Sequence, residues 1–356
     1  MPATPELSIV VPAYNAAPFI ESCLAPVLQQ MTPAHELVVI DDGSRDNTAA
    51  LVEGLAPQYP NARLRVVRQP NQGIAGARNR GLLEAAGDYL LFLDADDILL
   101  PGLLADVGAV IAAHAPDVIV FDFNMWRPDN PRKSYPVTMG HAPDTLTCER
   151  EAILATYFTD RHTYVWAHVF RRTIYQQQAQ PVFPPGRSYE DVAALAGLLA
   201  DCRSLFRLAR PGVDYRQHPA SLKNAVSPSW CEDYVLALRH VKHLFEQRPA
   251  SPALRMQIDI CACHFFIGMI KASFQLSWRE GTAARHHAGR LFADALFHPV
   301  EQVLDAMERG TLPSRDRKAD RAAALQARKA LSGSVAFSLG KTLSRRLKQW
   351  QRALAA

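Results

Sequence analysis

The sequence predicts an α/β chain in which a mostly parallel sheet is flanked by helices and followed by a helical C-terminal region. Three observations carry this. Short apolar runs alternate with helix-period patterns over the first 125 residues, which is how a parallel sheet is buried between helices. Several of those runs stop abruptly in polar clusters, as strands do where an open sheet meets its loops. From Ser229 onward the short runs cease and helical periodicity takes over, with breaks near 249–252, Pro299 and Pro313.

In chain order, 7–11 reads as the first buried strand. A helix follows after an Asn15 cap and Pro18, with Phe19/Ile20, Cys23/Leu24 and Val27/Leu28 repeating at helical spacing. Strands are predicted at 36–40, 64–67, 89–93 and 117–121, with helices over 46–56 and 73–86. Residues 126–148 hold four prolines among Asn, Asp, Thr and Ser, so they read as an excursion rather than an element. Beyond them a strand at 166–170, a short apolar helix at 191–200 and a strand at 212–217 complete a domain over 1–228. That domain divides into halves at 1–125 and 126–228, and 229–356 is the helical region.

With 356 residues, 48% apolar and 21% charged, the chain can bury a large core and an appendage. Its net charge of +4 is local: residues 315–356 carry eleven Lys or Arg against two Asp, leaving the rest net acidic. The six cysteines show no C-x-x-C spacing and mostly have apolar neighbours, as reduced thiols do in a reducing compartment. Met1-Pro2-Ala3-Thr4-Pro5 has neither a basic leader nor a cleavage site. Nothing reaches the roughly 18 uninterrupted apolar residues of a spanning helix. A cytoplasmic protein is expected, able to work at the inner face of the plasma membrane.

Open α/β sheets bind ligands beyond the carboxyl ends of their strands. Strand one ends in Pro12-Ala13-Tyr14-Asn15, strand two in Asp41-Asp42-Gly43-Ser44 and the strand at 89–93 in Asp94-Ala95-Asp96-Asp97. Neither G-x-G-x-x-G nor G-x-x-x-x-G-K occurs, which argues against a nicotinamide enzyme or an ATPase. Carboxylates at Asp94 and Asp96 can aim at one point from a tight turn, suiting a hard divalent cation that bridges phosphates. The competing reading is that these acids start the helix after Pro101, a role that fits Asp97. A carboxylate in the Asp41-Asp42 turn can accept a uracil N–H, with Pro12 and Tyr14 walling the base; the alternative is a plain turn. Arg78, within a helix opened by Gly73, Ala75, Gly76 and Ala77, can contact a diphosphate or base, or pair with a carboxylate such as Asp42.

Taken together, four segments in this order resemble the family 2 glycosyltransferases of the GT-A fold: Ile9-Val10-Val11-Pro12-Ala13-Tyr14-Asn15, Val39-Ile40-Asp41-Asp42-Gly43-Ser44, Asn71-x-Gly73-x-x-x-Ala77-Arg78-Asn79-x-Gly81 and Asp88-Tyr89-x-x-Phe92-Leu93-Asp94-Ala95-Asp96-Asp97. The resemblance implies that Pro12, Tyr14, Asn15, Asp42, Arg78, Asp94 and Ala95 hold a nucleotide sugar. It implies Asp96 as the direct ligand of Mn²⁺ or Mg²⁺, with Asp94 supporting it or touching ribose. Inverting members carry an Asp base in a Glu-Asp pair, matched by Glu190-Asp191. Such a base takes the proton of an acceptor hydroxyl, although acids at a helix start also suit the helix dipole.

Two further segments resemble the family less closely. In Trp166-Ala167-His168-Val169-Phe170-Arg171, Trp166 is expected on the acceptor side with Glu190, or else in the core. In Tyr215-Arg216-Gln217-His218-Pro219-Ala220-Ser221, Arg216 would clamp the leaving diphosphate and His218 would be a third metal ligand. Residues 334–354 form a basic amphipathic stripe suited to an anionic membrane surface, to the helical region, or to a second copy in a homo-oligomer. The basic face lacks interleaved aromatics, so no nucleic acid is expected.

The expected activity is inverting, metal-dependent transfer of a sugar from a UDP donor to a glycan or lipid-linked acceptor in surface polysaccharide assembly. The readings held against it are a non-catalytic scaffold of the same fold and a sugar nucleotidyltransferase, whose Gly-rich basic loop is missing.

Overall fold

The computed structural model describes residues 4–218, 226–333 and 340–341. The chain divides into two compact units, Met1–Thr156 with His162–Pro219, and Tyr157–Arg161 with Ala220–Ala356. The first unit contains β1 (Leu7–Ala13), α1 (Ile20–Gln30), β2 (His35–Asp41), α2 (Thr48–Leu55), β3 (Arg63–Arg68), α3 (Gly73–Glu84), β4 (Tyr89–Phe92), β5 (Ile98–Leu99), α4 (Leu103–His114) and β6 (Val118–Trp126). It continues with β7 (Tyr135–Val137), β8 (Leu146–Thr147), most of α5 (Arg150–Asp160), β9 (His168–Arg171), α6 (Arg172–Gln176), α7 (Glu190–Asp201) and β10 (Leu205–Arg216).

The sheet runs β3-β2-β1-β4-β9-β6-β10-β5. The first four strands are parallel, β9 is antiparallel to both β4 and β6, and β10 is parallel to β6. The ends of β1, β2, β4 and β10 therefore face the same way, bringing distant polar segments together. This is the mostly parallel sheet expected. β1, β2 and β4 are buried along their whole length, which is why they read as continuous apolar runs instead of alternating ones. Close packing of α3 depends on Gly81, where a Cβ would lie 2.3 Å from Val10 Cγ1.

Four local expectations are corrected. Helix α1 has Phe19 at its N-cap; Asn15 is left-handed at φ +49° and its Oδ1 accepts from Arg45 N at 2.8 Å. Asp97 starts no helix, because α4 begins after Gly102. The Pro-rich stretch holds β7 and β8, which pair with β6 and β10; Pro136 is tolerated in so short an edge strand. The run at 166–170 begins as a 3₁₀ turn over Val165–Ala167 before β9.

The second unit is helical among its described residues: α8 (Pro228–Glu246), α9 (Pro252–Ser273), α10 (Trp278–Phe292), α11 (Val300–Arg309) and α12 (Arg317–Leu331). Ser227, Ser251, Ser277 and Asp316 each cap the helix that follows by accepting a backbone N–H, satisfying donors that a first turn leaves open. Helix α9 is long and apolar enough by composition to cross a membrane, yet 67% of its most apolar window is buried in the protein. Apart from Gly340 and Lys341, the basic stripe at 334–354 lies outside the described residues, as do Pro219, Ala220 and Ser221.

Candidate active site

The loops after β1 and β2 are laced together. Asn15 N donates to Ser44 Oγ at 2.9 Å, Ala16 N to Thr48 Oγ1 at 2.8 Å and Ala17 N to Asp46 Oδ2 at 3.1 Å. Asp42 is buried at the β2 end, where its Oδ1 accepts from Gln69 Nε2 at 2.7 Å and Gln72 N at 2.9 Å. The carboxylate is thus oriented by a shell that needs no ligand. Gly43 makes the turn at φ +74°, and a Cβ there would sit 2.9 Å from Asn71 N. Pro12 is buried beside this wall, and Tyr14 is 47% exposed, available to a flat ligand.

Beyond β4 the chain turns tightly, with Asp97 N donating to Asp94 O at 3.0 Å. Asp94 and Asp96 keep side-chain exposures of 26% and 29%; Ala95 between them is buried. The end of β10 folds onto this turn. Arg216 donates from Nε to Asp96 O at 2.6 Å and from its backbone N to Asp97 Oδ1 at 2.8 Å. Its guanidinium lies 4.4 Å from the Trp126 ring centroid and 5.2 Å from that of Phe19. His218 Nε2 lies 2.7 Å from Asp96 Oδ2. Burial pushes Asp97 well above the usual carboxylate range, with Asp94 and Asp96 adding to the effect.

A buried cation joins this turn to the start of α7. Arg78, 2% exposed, donates to Asp94 Oδ1 at 3.0 Å, to Glu190 Oε1 at 2.7 Å and to Asp191 Oδ1. Asp191 also accepts the Val165 N–H. One guanidinium faces three carboxylates in a site largely closed to water. Burial, reinforced by Glu190 and Asp94 against the pull of Arg78, raises Asp191 to about 8.

A divalent cation fits the open side of the β4 turn. Among the described residues no three His, Cys, Asp or Glu side chains form a ready-made ligand set. Asp96 and His218 nonetheless present an oxygen and a nitrogen within 2.7 Å of each other, donors that suit Mn²⁺ and leave positions for phosphate oxygens. Asp97 Oδ2 is buried with no hydrogen-bond partner, a further sign that negative charge is in excess here.

The structure shows where three expected residues stand. Trp166 is 1% exposed and sits among Phe123, Tyr164 and Tyr215, with centroids at 4.9–5.0 Å, so it offers no face to a sugar. Arg78 pairs with Asp94, Glu190 and Asp191, not Asp42. Glu190 is likewise turned onto Arg78. Sequence reasoning missed Gln69 and Gln72 behind Asp42, the Phe19 and Trp126 rings around Arg216, and Asn79. Asn79 donates to Phe183 O at 2.7 Å and accepts from Phe183 N at 3.0 Å. Of these, a signal was present only for Asn79, which stands in the Ala77-Arg78-Asn79 segment.

Known proteins resemble this chain in sequence and in fold. The sequence profile of glycosyl transferase family 2 matches residues 8–178. An uncharacterized glycosyltransferase of Bacillus subtilis, EpsJ, is 28% identical over 220 residues, 61% of this chain and 63% of that protein. A PGL/p-HBAD biosynthesis glycosyltransferase of Mycobacterium bovis is 38% identical over 129 residues, 36% of this chain and 50% of its own length. The chain thus spans less than two thirds of these relatives. Among solved structures, S. aureus TarS residues 1–349 with UDP-GlcNAc superposes at a TM-score of 0.69 and 20% identity, covering 96% of this chain and 92% of that one. The Pyrobaculum calidifontis mannosyltransferase PcManGT, with GDP-Man and Mn²⁺, gives 0.52 at 17% identity, covering 96% and 88%. These two likenesses show a shared GT-A fold, and the profile match places residues 8–178 of this chain in glycosyl transferase family 2.

Proposed function

We propose that the chain is an inverting, metal-dependent glycosyltransferase, moving a sugar from a UDP-linked donor to a glycan or lipid-linked acceptor in surface polysaccharide assembly at the cytoplasmic face of the membrane. The observation that carries this reading is the ion-pair bridge in which Arg78 joins Asp94 of the β4 turn to Asp191 of α7. A donor-side carboxylate and a candidate base thereby share one constellation at the carboxyl ends of the strands. Relatives bearing the glycosyltransferase name, and structural neighbours that hold UDP-GlcNAc or GDP-Man, support it.

In this reading Tyr14 and Pro12 border the base and Asp42 accepts its imide N–H. Asp191 removes the proton of an acceptor hydroxyl as that oxygen bonds to C1 of the sugar. The bond from C1 to the diphosphate oxygen breaks, and its electron pair leaves with the nucleoside diphosphate. Attack opposite the leaving group inverts C1 and passes through an oxocarbenium-like state, as in other displacements at this carbon. Arg216, its guanidinium beside the Phe19 and Trp126 rings, faces the negative charge that develops on the diphosphate. Asp96 and His218, with Asp94 beside them, would hold Mn²⁺ or Mg²⁺, which supplies charge neutralisation to the departing diphosphate. The test is turnover of a panel of UDP-sugars with Mn²⁺ or Mg²⁺ by the whole chain, compared with Asp96→Ala and Asp191→Asn. Wild-type rates in both variants would reject the site.

A further inference from the structure

Resting on the reading of Asp191 as the base, we propose that Arg78 is a positioning residue for that base rather than a contact for the nucleotide: its enclosed guanidinium holds Asp191 and Glu190 on one side and Asp94 on the other, fixing where the base stands relative to the donor turn.

Four observations lead there. The Arg78 side chain is 3% exposed, so a phosphate or base could meet it only if the site opened. Both terminal nitrogens are already committed, Nη1 to Glu190 and Asp191 and Nη2 to Asp94. Nε is buried without a partner, so that donor is shut in rather than aimed at an open cleft. The guanidinium also lies 5.7 Å from the Phe183 ring centroid, and Phe183 is clipped by the two hydrogen bonds from Asn79, the residue next to Arg78.

Local sequence explains the placement. Gly81, one turn beyond Arg78, lets α3 sit on β1 against Val10, which carries the Arg78 stem beneath the strand ends. Helix α7 then follows its N-cap Tyr189, whose φ of +65° turns Glu190 and Asp191 together toward the same cation. The Ala77-Arg78-Asn79 triplet therefore works as one unit: Arg78 orients the base and Asn79 fixes the aromatic wall beside it. A fork that binds two carboxylates through paired N–H groups sets direction as well as distance, and lysine cannot reproduce it.

The groups facing Asp191 are Arg78 from α3, Glu190 from α7, Asp94 after β4, Tyr164 before β9 and Tyr175 from α6. Arg78 is the sole cation among them, so the base's ionisation depends on it.

The experiment uses the whole chain, Mn²⁺ and the UDP-sugar that wild type turns over. It measures kcat, donor KM, UDP affinity by calorimetry and the pH dependence of kcat/KM for Arg78→Lys, Glu190→Gln and Asp191→Asn. Arg78→Lys should lower kcat by about 100-fold, the scale expected of a group misplaced by an ångström, with UDP affinity unchanged within error. Glu190→Gln removes a negative neighbour and should move the acid limb of kcat/KM to lower pH, again without touching UDP affinity. Weaker UDP binding in Arg78→Lys that accounts for the whole loss of kcat/KM, with the limb in place, would overturn the proposal alone. Wild-type turnover in Asp191→Asn would overturn the base reading beneath it. Should Arg78→Lys fail to fold, the Glu190→Gln profile decides, and an unmoved limb rejects the proposal.

Discussion

His218 Nε2 lies 2.7 Å from Asp96 Oδ2 although 122 residues separate them in the chain. The parallel run of β4, β6 and β10 brings them together, and both can point at one ion. Replacing His218 by Ala should raise the Mn²⁺ concentration needed for half-maximal turnover by at least about tenfold, the lower end of what weakened metal sites show. A titration curve that superposes on wild type would remove His218 from the metal site.

The raised Asp191 carboxyl makes a pH prediction with a definite sign. A base must be ionised, and this one is protonated below about 8. The kcat/KM of the free protein should fall about tenfold per pH unit on the acid side of that value. A plateau extending down to the usual carboxylate range would contradict it. Stability runs the other way. Because the folded value lies above the unfolded one, the contribution of Asp191 is present at low pH and lost as pH rises through about 8. Thermal melts of the ligand-free chain should therefore show the Asp191→Asn advantage growing from the usual carboxylate range up to about pH 8 and levelling above it.

Gly43→Ala should destabilise the first unit by about 1–3 kcal/mol, the usual cost of a left-handed non-glycine residue in a tight place. Its φ is +74°, and the added Cβ would meet Asn71 N at 2.9 Å. Asp42 is its neighbour, so UDP affinity should fall with stability. Urea unfolding and calorimetry on the same variant check both, and an unchanged midpoint would show that the turn relaxes freely.

Trp166→Ala should act through the core. Full burial against Phe123, Tyr164 and Tyr215 implies a loss of about 3–5 kcal/mol, read as a lower urea midpoint. A stable variant with a raised acceptor KM would return Trp166 to the acceptor site.

Much of this was legible in the sequence because it is periodic or local. The doubly buried strands β1, β2 and β4 announce themselves as apolar runs, and the Ser-Pro pairs ahead of α8 and α9 mark their starts. The acidic turn at 94–97 was visible as a cluster, but its internal division was not. Asp97 reads like any helix-start acid, and only the fold shows that the helix waits until Leu103 and that Asp97 is closed over by β10. Arg78 was found, but its partners were not, for the same reason. Sequence order cannot tell whether a conspicuous arginine faces the ligand or faces the carboxylates of a helix more than a hundred positions away. The Phe19, Trp126 and Arg216 stack joins three segments with no shared motif.

The central claim is that Asp191 deprotonates the acceptor beside a donor held at Asp96. The most direct measurement is single-turnover transfer from the wild type's UDP-sugar at saturating Mn²⁺, with UDP binding followed in the same samples, for wild type and Asp191→Asn. The account predicts that Asp191→Asn binds UDP as wild type does while the transfer step falls by at least about 100-fold, the scale of a lost general base. Transfer at the wild-type rate, or a loss explained wholly by weaker UDP binding, would contradict it.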